Sequence, residues 1–127
     1  MLEAPSPAVL MTYQPDGSAD VSPVWFRYTG EKFEVVVAKS DSKLRNLARD
    51  LRAMLMIFET MAPFRGVKVR AEVEWDDSRV EDIRRSISSR YLGQEGAAAF
   101  VAERGEGVVV RLPTSAAQVW DLSGILR

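Results

Sequence analysis

The apolar positions along the chain change period several times, and each period predicts a type of secondary structure. Positions 67, 69, 71, 73 and 75 are apolar and alternate with charged residues, which is typical of a strand with one buried face. Shorter runs rich in β-branched and aromatic residues predict further strands. These runs cover residues 8–13, 19–28, 33–38, 53–58 and 107–112, and residues 116–120 form either another short strand or a continuation of the last one.

Two segments have the period of a helix instead. The first follows three possible capping residues at 40–42 and has apolar residues at 44, 47, 48 and 51, which lie on one helical face. The second follows Asp76-Asp77-Ser78, with a stripe formed by Val80, Ile83, Ile87 and Tyr91. Gly93 is predicted to end it before a further short helix over residues 95–103. Arg84, Arg85 and Arg90 are expected on its solvated face.

Tight turns connect most of the predicted strands. Pro15-Asp16-Gly17 separates the first two runs and predicts a hairpin, and Pro23 within the second run predicts an edge position or a bulge. Strands joined by hairpins, with helices only as insertions, favour an antiparallel barrel over βαβ units. The expected fold is therefore mainly β with inserted helices, a six-stranded antiparallel barrel forming a single domain over residues 1–127.

Composition narrows the chemistry that the protein can perform. The 127 residues contain no histidine and no cysteine, which excludes imidazole bases, thiolate nucleophiles and cysteine zinc sites. Any chemistry must therefore use carboxylates, lysines, hydroxyls or a cofactor, and a cofactor is the economical option because it carries reactions that side chains cannot. The net charge of −1 indicates no nucleic-acid partner. The absence of a long apolar run and of a basic leader predicts a cytoplasmic protein without a membrane partner.

One segment combines a buried strand with a basic helix start. The strand ends at Ala38, a polar loop follows, and Lys43 stands in the first turn of the helix. Free N–H groups at a helix start favour an anion, and an ammonium group at the same place adds charge. The pattern is compatible with a phosphate site, but on charge alone a solvated helix face is the better explanation.

Nearly the whole chain resembles the flavin-binding split-barrel superfamily of proteins like pyridoxamine phosphate oxidase, and more narrowly its actinobacterial branch that uses the deazaflavin coenzyme F420. The second-strand segment and the Lys-x-Arg-Asn helix are the most specific pair of motifs. The residues that carry the resemblance are Asp16-Gly17-Ser18, Val21-Ser22-Pro23-Val24-Trp25-Phe26, Lys43-Leu44-Arg45-Asn46-Leu47-Ala48-Arg49-Asp50, Val67-Lys68-Val69-Arg70-Ala71-Glu72-Val73, Arg90-Tyr91-Leu92-Gly93, Val110-Arg111-Leu112 and Trp120-Asp121.

The resemblance implies a split barrel of the type that binds flavin mononucleotide, with the cofactor in a groove between two identical protomers. The third strand would face the ring system, the loop and helix start would take the phosphate, and the second strand would approach the ring from another side. The implied cofactor-binding residues are Ser22, Pro23, Val24, Trp25, Val36, Val37, Ala38, Lys39, Ser42 and Lys43, with Trp120 contributed by the partner chain. No catalytic side chain and no metal ligand are implied.

The activity implied is reduction of a small electron-poor substrate by reduced coenzyme F420. Members that use flavin mononucleotide tend to carry an Arg-Lys pair where this chain has Ser42-Lys43, so the deazaflavin is preferred. Leu51 also replaces the proline that usually ends the first helix. A flavin mononucleotide oxidoreductase and a non-catalytic flavin, deazaflavin or heme-binding protein remain the alternatives.

Overall fold

The structure is a computed structural model that describes residues 2–121. Its strands are β1 (Ala8–Tyr13), β2 (Ala19–Val24), β3 (Arg27–Tyr28), β4 (Lys32–Ala38), β5 (Arg52–Phe58), β6 (Gly66–Glu72), β7 (Glu74–Asp76), β8 (Gly107–Pro113) and β9 (Ala117–Trp120). Helix α1 (Ser42–Arg49) joins β4 to β5, and helix α2 (Val80–Ala102) joins β7 to β8. A short 3-10 turn, Thr114–Ala116, leads into β9.

The strands form two antiparallel sheets. The five-stranded sheet has the order β2-β1-β5-β6-β9, and the four-stranded sheet has the order β3-β4-β8-β7. Pro23 lies on β2, an edge strand, which confirms the edge position predicted for it. An edge strand tolerates proline because a backbone N–H is not needed on its open side.

The six strands expected of the split barrel are not the number observed, because two sheets of five and four strands are present, but the mainly β, antiparallel class is confirmed. Two of the predicted runs are each divided between the two sheets, residues 19–28 into β2 and β3 and residues 67–75 into β6 and β7. The last two runs become separate strands, β8 in the four-stranded sheet and β9 in the five-stranded sheet. The division follows from sheet closure, because a long strand must bend to leave one sheet and enter the other.

The core lies between the two sheets. Alternate residues of β1 and β5 face it from the five-stranded sheet, and alternate residues of β4 and β8 face it from the other. Leu10, Leu55, Phe33 and Leu112 are at most 1% exposed. A second, smaller apolar cluster lies on the outer face of the four-stranded sheet, where Ile83 and Ile87 of α2 pack near Val109 and Val36.

Helix α2 is two helices separated by a kink. Gly93 has φ of 75° and ψ of 173°, which is outside the helical region, and helical residues lie on both sides of it. This backbone conformation is essentially restricted to glycine. The break predicted at Gly93 and the helix predicted after it are therefore confirmed, and the kink sets the direction of residues 94–102.

Candidate active site

A cleft of about 320 Å³ lies where the ends of β2 and β4 meet the start of α1 and one face of α2. Seven of the eleven residues predicted to bind a cofactor line it. They are Pro23, Val24, Trp25, Val36, Val37, Ala38 and Lys43. The structure thus brings together the end of the second predicted strand, the third strand and the helix start, although these segments are separate in the sequence.

The other four predicted residues do not line the cleft. Ser22 faces inward from β2, and its hydroxyl is buried with no hydrogen-bond partner among the described residues. The ammonium group of Lys39 lies 3.5 Å from Glu106, and the hydroxyl of Ser42 donates to Asp20 at 3.4 Å. The ring of Trp120 lies directly over Gly66, where a Cβ atom would be only 1.9 Å away.

The start of α1 holds a carboxylate of its own. Asp41 caps the helix and accepts hydrogen bonds from the backbone N–H of Lys43 at 2.9 Å and from its ammonium group at 3.0 Å. Burial raises the pKa of Asp41, but the hydrogen bonds from Lys43 outweigh it and hold the pKa below its usual value. The positive charge of Lys43 is therefore partly compensated within the chain, which the sequence alone did not indicate.

Aromatic side chains form one wall of the cleft. Trp25 stacks on Tyr91 with ring centroids 5.0 Å apart and contacts Phe100 at 5.1 Å. The hydroxyl of Tyr91 accepts a hydrogen bond from the N–H of Phe26 at 3.4 Å and donates to the carbonyl of Ser6 at 3.0 Å. Burial raises the pKa of Tyr91. The stacked ring of Tyr91 therefore holds the indole of Trp25 in place, and Phe100 lies beside it in the cleft wall.

Two arginines of the α2 region also line the cleft, and neither was predicted as a site residue. Arg84 is only 7% exposed, and its guanidinium donates to the carbonyl of Gly105 at 2.8 Å. Arg104 follows the end of α2 and stacks on the ring of Phe100 at 3.9 Å. Burial and the nearby charge of Arg104 lower the pKa of Arg84. With Lys43 and Asp41, the cleft carries a net charge of +2 (three cations, one carboxylate).

The expectation that Arg84 and Arg90 lie on a solvated helix face is wrong, whereas Arg85 is exposed as expected. Arg84 stands four residues after Val80 and three before Ile87, so the helical period itself places it on the packed stripe. Arg90 donates to the carbonyls of Phe26, Leu2 and Ala4. Arg90 is thus a structural residue that fastens the N-terminal segment, and Arg84 is a residue of the cleft.

Within residues 2–121 no group of three or more His, Cys, Asp or Glu side chains is arranged to hold a metal ion. No helix in the same part of the chain is both long and apolar enough to cross a membrane.

Comparison with known proteins places this arrangement in a wider group. A sequence model described as pyridoxamine 5'-phosphate oxidase matches residues 1–121. No curated protein matches the sequence. The structure is similar to the conserved hypothetical protein Rv2991 from Mycobacterium tuberculosis, with a TM-score of 0.80 and 21% identity over 98% of this chain and 82% of that one.

Two further solved structures show the range of functions found on this fold. One is an F420 reductase, with a TM-score of 0.73 and 24% identity over 92% of each chain. The other is HutZ, the heme storage protein from Vibrio cholerae, with a TM-score of 0.68 and 17% identity over 91% of this chain and 86% of that one. At these identities the likeness shows a common fold.

Proposed function

Because this chain belongs to the pyridoxamine 5'-phosphate oxidase family, we propose that it is a reductase that binds coenzyme F420 in the cleft and reduces a small, electron-poor organic substrate. The observation that carries the proposal is the composition of the cleft. It joins an apolar and aromatic wall to a set of three cations. A flat ring system that bears an anionic group matches both parts.

The residues present fit such a cofactor in part. Val36, Val37 and Ala38 at the end of β4 and Val24 and Trp25 after β2 offer an apolar surface to a ring. Lys43 offers an ammonium group to a phosphate, but it shares its charge with Asp41. At the start of α1, where Lys43 and Asp41 lie and which is separate from the two arginines of the α2 region, one compensated cation suits the singly charged phosphodiester of F420 better than the doubly charged phosphate of flavin mononucleotide. This difference supports the preference for the deazaflavin.

When bound, a deazaflavin supplies hydride transfer, and the protein supplies placement and exclusion of water. Trp25 is fixed by its stack on Tyr91, so it holds one side of the cleft without reorganisation when a ligand enters. Ser88 lines the cleft, but its hydroxyl donates to the carbonyl of Arg84 at 2.6 Å. We assign no side chain as a proton donor.

We also propose that two copies of the chain associate through the outer face of the five-stranded sheet. Residues that pair directly across strands share a face, so Pro23, Val9 and Met56 form one outward row, and Val21, Met11 and Met54 form the next. Val21 is 57% exposed, Pro23 is also exposed, and the other four residues of these rows are half-buried. Apolar rows of this kind are typical of an interface between subunits.

This outer face reaches the cleft because Pro23 belongs to both. A second copy would then add a wall to the cleft, and Trp120, at the opposite edge of the same sheet, would come from that copy. Light scattering at micromolar concentration is expected to give the mass of a dimer. Val21→Asp is expected to give a monomer with weaker cofactor affinity, and a wild-type chain that stays monomeric would contradict this part of the proposal.

The cofactor is tested by titrating the purified protein with F420, flavin mononucleotide and riboflavin in parallel. Lys43→Ala is expected to weaken F420 binding by about tenfold, the lower end for a charge-assisted contact, because Asp41 already shares the charge. Riboflavin, which lacks the phosphate, should bind equally to both proteins. Arg45→Ala is the matched control, since Arg45 is an exposed cation on the same helix that does not line the cleft.

An unchanged F420 affinity in Lys43→Ala, or an equal loss in Arg45→Ala, would contradict the anchor. Tighter binding of flavin mononucleotide than of F420 would favour the flavin-dependent alternative. Catalysis is tested separately by mixing reduced F420 and the protein with quinones, enones and tetrapyrroles. Oxidation no faster than in buffer for all three classes would favour a carrier over an enzyme.

A further inference from the structure

Arg84 differs from a purely structural arginine because it is buried and has no carboxylate partner among the described residues. Its side chain is 7% exposed, and no carboxylate lies within ion-pair distance of it among residues 2–121. By contrast Arg111, which is also largely buried, is paired with Glu34 and Asp76. A buried charge that has a backbone carbonyl but no carboxylate as its partner costs folding free energy. Proteins retain such a cost mostly at functional sites.

The chain makes room for this guanidinium at one specific position. A Cβ atom on Gly107 would lie 2.5 Å from Nη2 of Arg84 and 3.0 Å from the carbonyl oxygen of Val37. Glycine at the start of β8 therefore leaves room for the guanidinium near the end of β4, and both Arg84 and this end of β4 line the cleft. The backbone therefore provides a specific space for the Arg84 guanidinium, which a surface side chain that bends inward would not need.

Arg104 brings a second cation to the same cleft. It lies just beyond the end of α2, on the far side of the Gly93 kink from Arg84, and its guanidinium stacks on Phe100. Burial, and after it the charge of Arg104, lower the pKa of Arg84, while Glu81 acts in the opposite direction. Two like charges that converge on an open cleft repel each other until an anion lies between or beside them.

We propose that Arg84 and Arg104 form a second anion site in the cleft, in addition to Lys43, and that it selects substrates in which a carboxylate or phosphate is attached to an aromatic ring. The guanidinium groups take the anion, because planar guanidinium suits both oxyanions. Phe100 and Trp25 contact the ring. This inference rests on the proposed function only in assuming that the substrate occupies this cleft.

The test uses calorimetric titration of the intact chain with naphthoate, naphthyl phosphate and uncharged naphthamide as probes. The wild-type chain is expected to bind at least one of the two anions about tenfold more tightly than the amide. Arg104→Gln should weaken the anion by about three- to tenfold and leave the amide unchanged. Whichever anion binds more tightly identifies carboxylate or phosphate as the preferred group.

Arg85→Gln is the matched control, because it removes the same charge from an exposed position on α2 outside the cleft. Equal affinity of the wild-type chain for amide and anions would overturn the site, as would an equal loss in Arg85→Gln. Arg84→Met serves as a second variant and should abolish the preference for anions. A chain that prefers anions but binds no F420 would refute the proposed cofactor alone, and the reverse result would refute the anion site alone.

Discussion

Arg84 is buried and Arg90, six residues later on α2, is half-buried, yet replacing each with methionine should have different effects on stability. Arg90 donates to three backbone carbonyls, and one of these belongs to Phe26, which is fully buried. Loss of a charged hydrogen bond to a buried carbonyl costs about 1.5–3 kcal/mol. The contact of the guanidinium with the Phe26 ring at 4.6 Å adds about 0.5–1 kcal/mol.

The carbonyls of Leu2 and Ala4 lie near the chain end, where water can replace Arg90, so they add little. Arg90→Met should therefore lower the free energy of unfolding by about 2–4 kcal/mol. For a chain of this length each kcal/mol shifts Tm by roughly 3–5 °C, so Tm should fall by on the order of 10 °C. Arg84→Met removes one hydrogen bond, but it also removes a buried charge that has no carboxylate partner. The free energy of unfolding should therefore change by less than about 1 kcal/mol.

The assay is thermal unfolding followed by circular dichroism, with urea titration at one temperature to obtain the free energy. Arg85→Met is the control, because Arg85 is exposed and should leave Tm within about 2 °C of the wild type. A fall of less than about 3 °C for Arg90→Met would refute the role assigned to its hydrogen bonds. A loss for Arg84→Met as large as that for Arg90→Met would refute the view that Arg84 is retained for binding.

Two other predictions concern acid stability and the kink. The hydrogen bonds from Arg65 lower the pKa of Glu59 from 4.5 to about 2, so its contribution is present above pH 4.5 and is lost as the pH falls towards 2. Urea midpoints across that range should therefore fall less steeply for Glu59→Gln, and an unchanged slope would contradict this. Gly93→Ala should cost about 1–3 kcal/mol in urea unfolding because of its positive φ. Gly105→Ala should leave the free energy of unfolding unchanged, because a Cβ at that position meets no atom. An equal loss in the two variants would contradict the backbone strain assigned to position 93.

Periodicity predicted most of the secondary structure, but it did not predict where a strand bends to pass from one sheet to the other. The strand positions and the break at Gly93 follow from local patterns, which act within a few residues. The passage from β2 to β3 occurs at Trp25-Phe26, and that from β6 to β7 at Val73, all residues that favour strands. No local signal marks these bends, because the closure of one sheet against the other determines them.

The part of the candidate site that the strands form was predictable from the sequence. The arrangement of its charged side chains was less predictable. Val36, Val37 and Ala38 were implied by the family resemblance, and they line the cleft at the end of the strand that leads into the predicted helix start. Arg84 was misassigned because its charge was given more weight than its place in the helical stripe. The pairing of Lys43 with Asp41 was missed because any of three neighbouring residues could have capped α1, and only the structure distinguishes them.

The position of α2 has an evolutionary consequence. The inner face of β4 carries Phe33 and Val35 into the core, while its outer face meets α2 through the small cluster around Val36 and Ile87. Substitutions at the α2 positions that line the cleft and lie outside that core, such as Arg84, Ser88 and Phe100, would therefore change the chemistry of the cleft without changing the residues between the sheets. A lineage with this architecture could exchange one ligand for another at these few positions, while Arg90 and Tyr91 of the same helix keep their structural contacts.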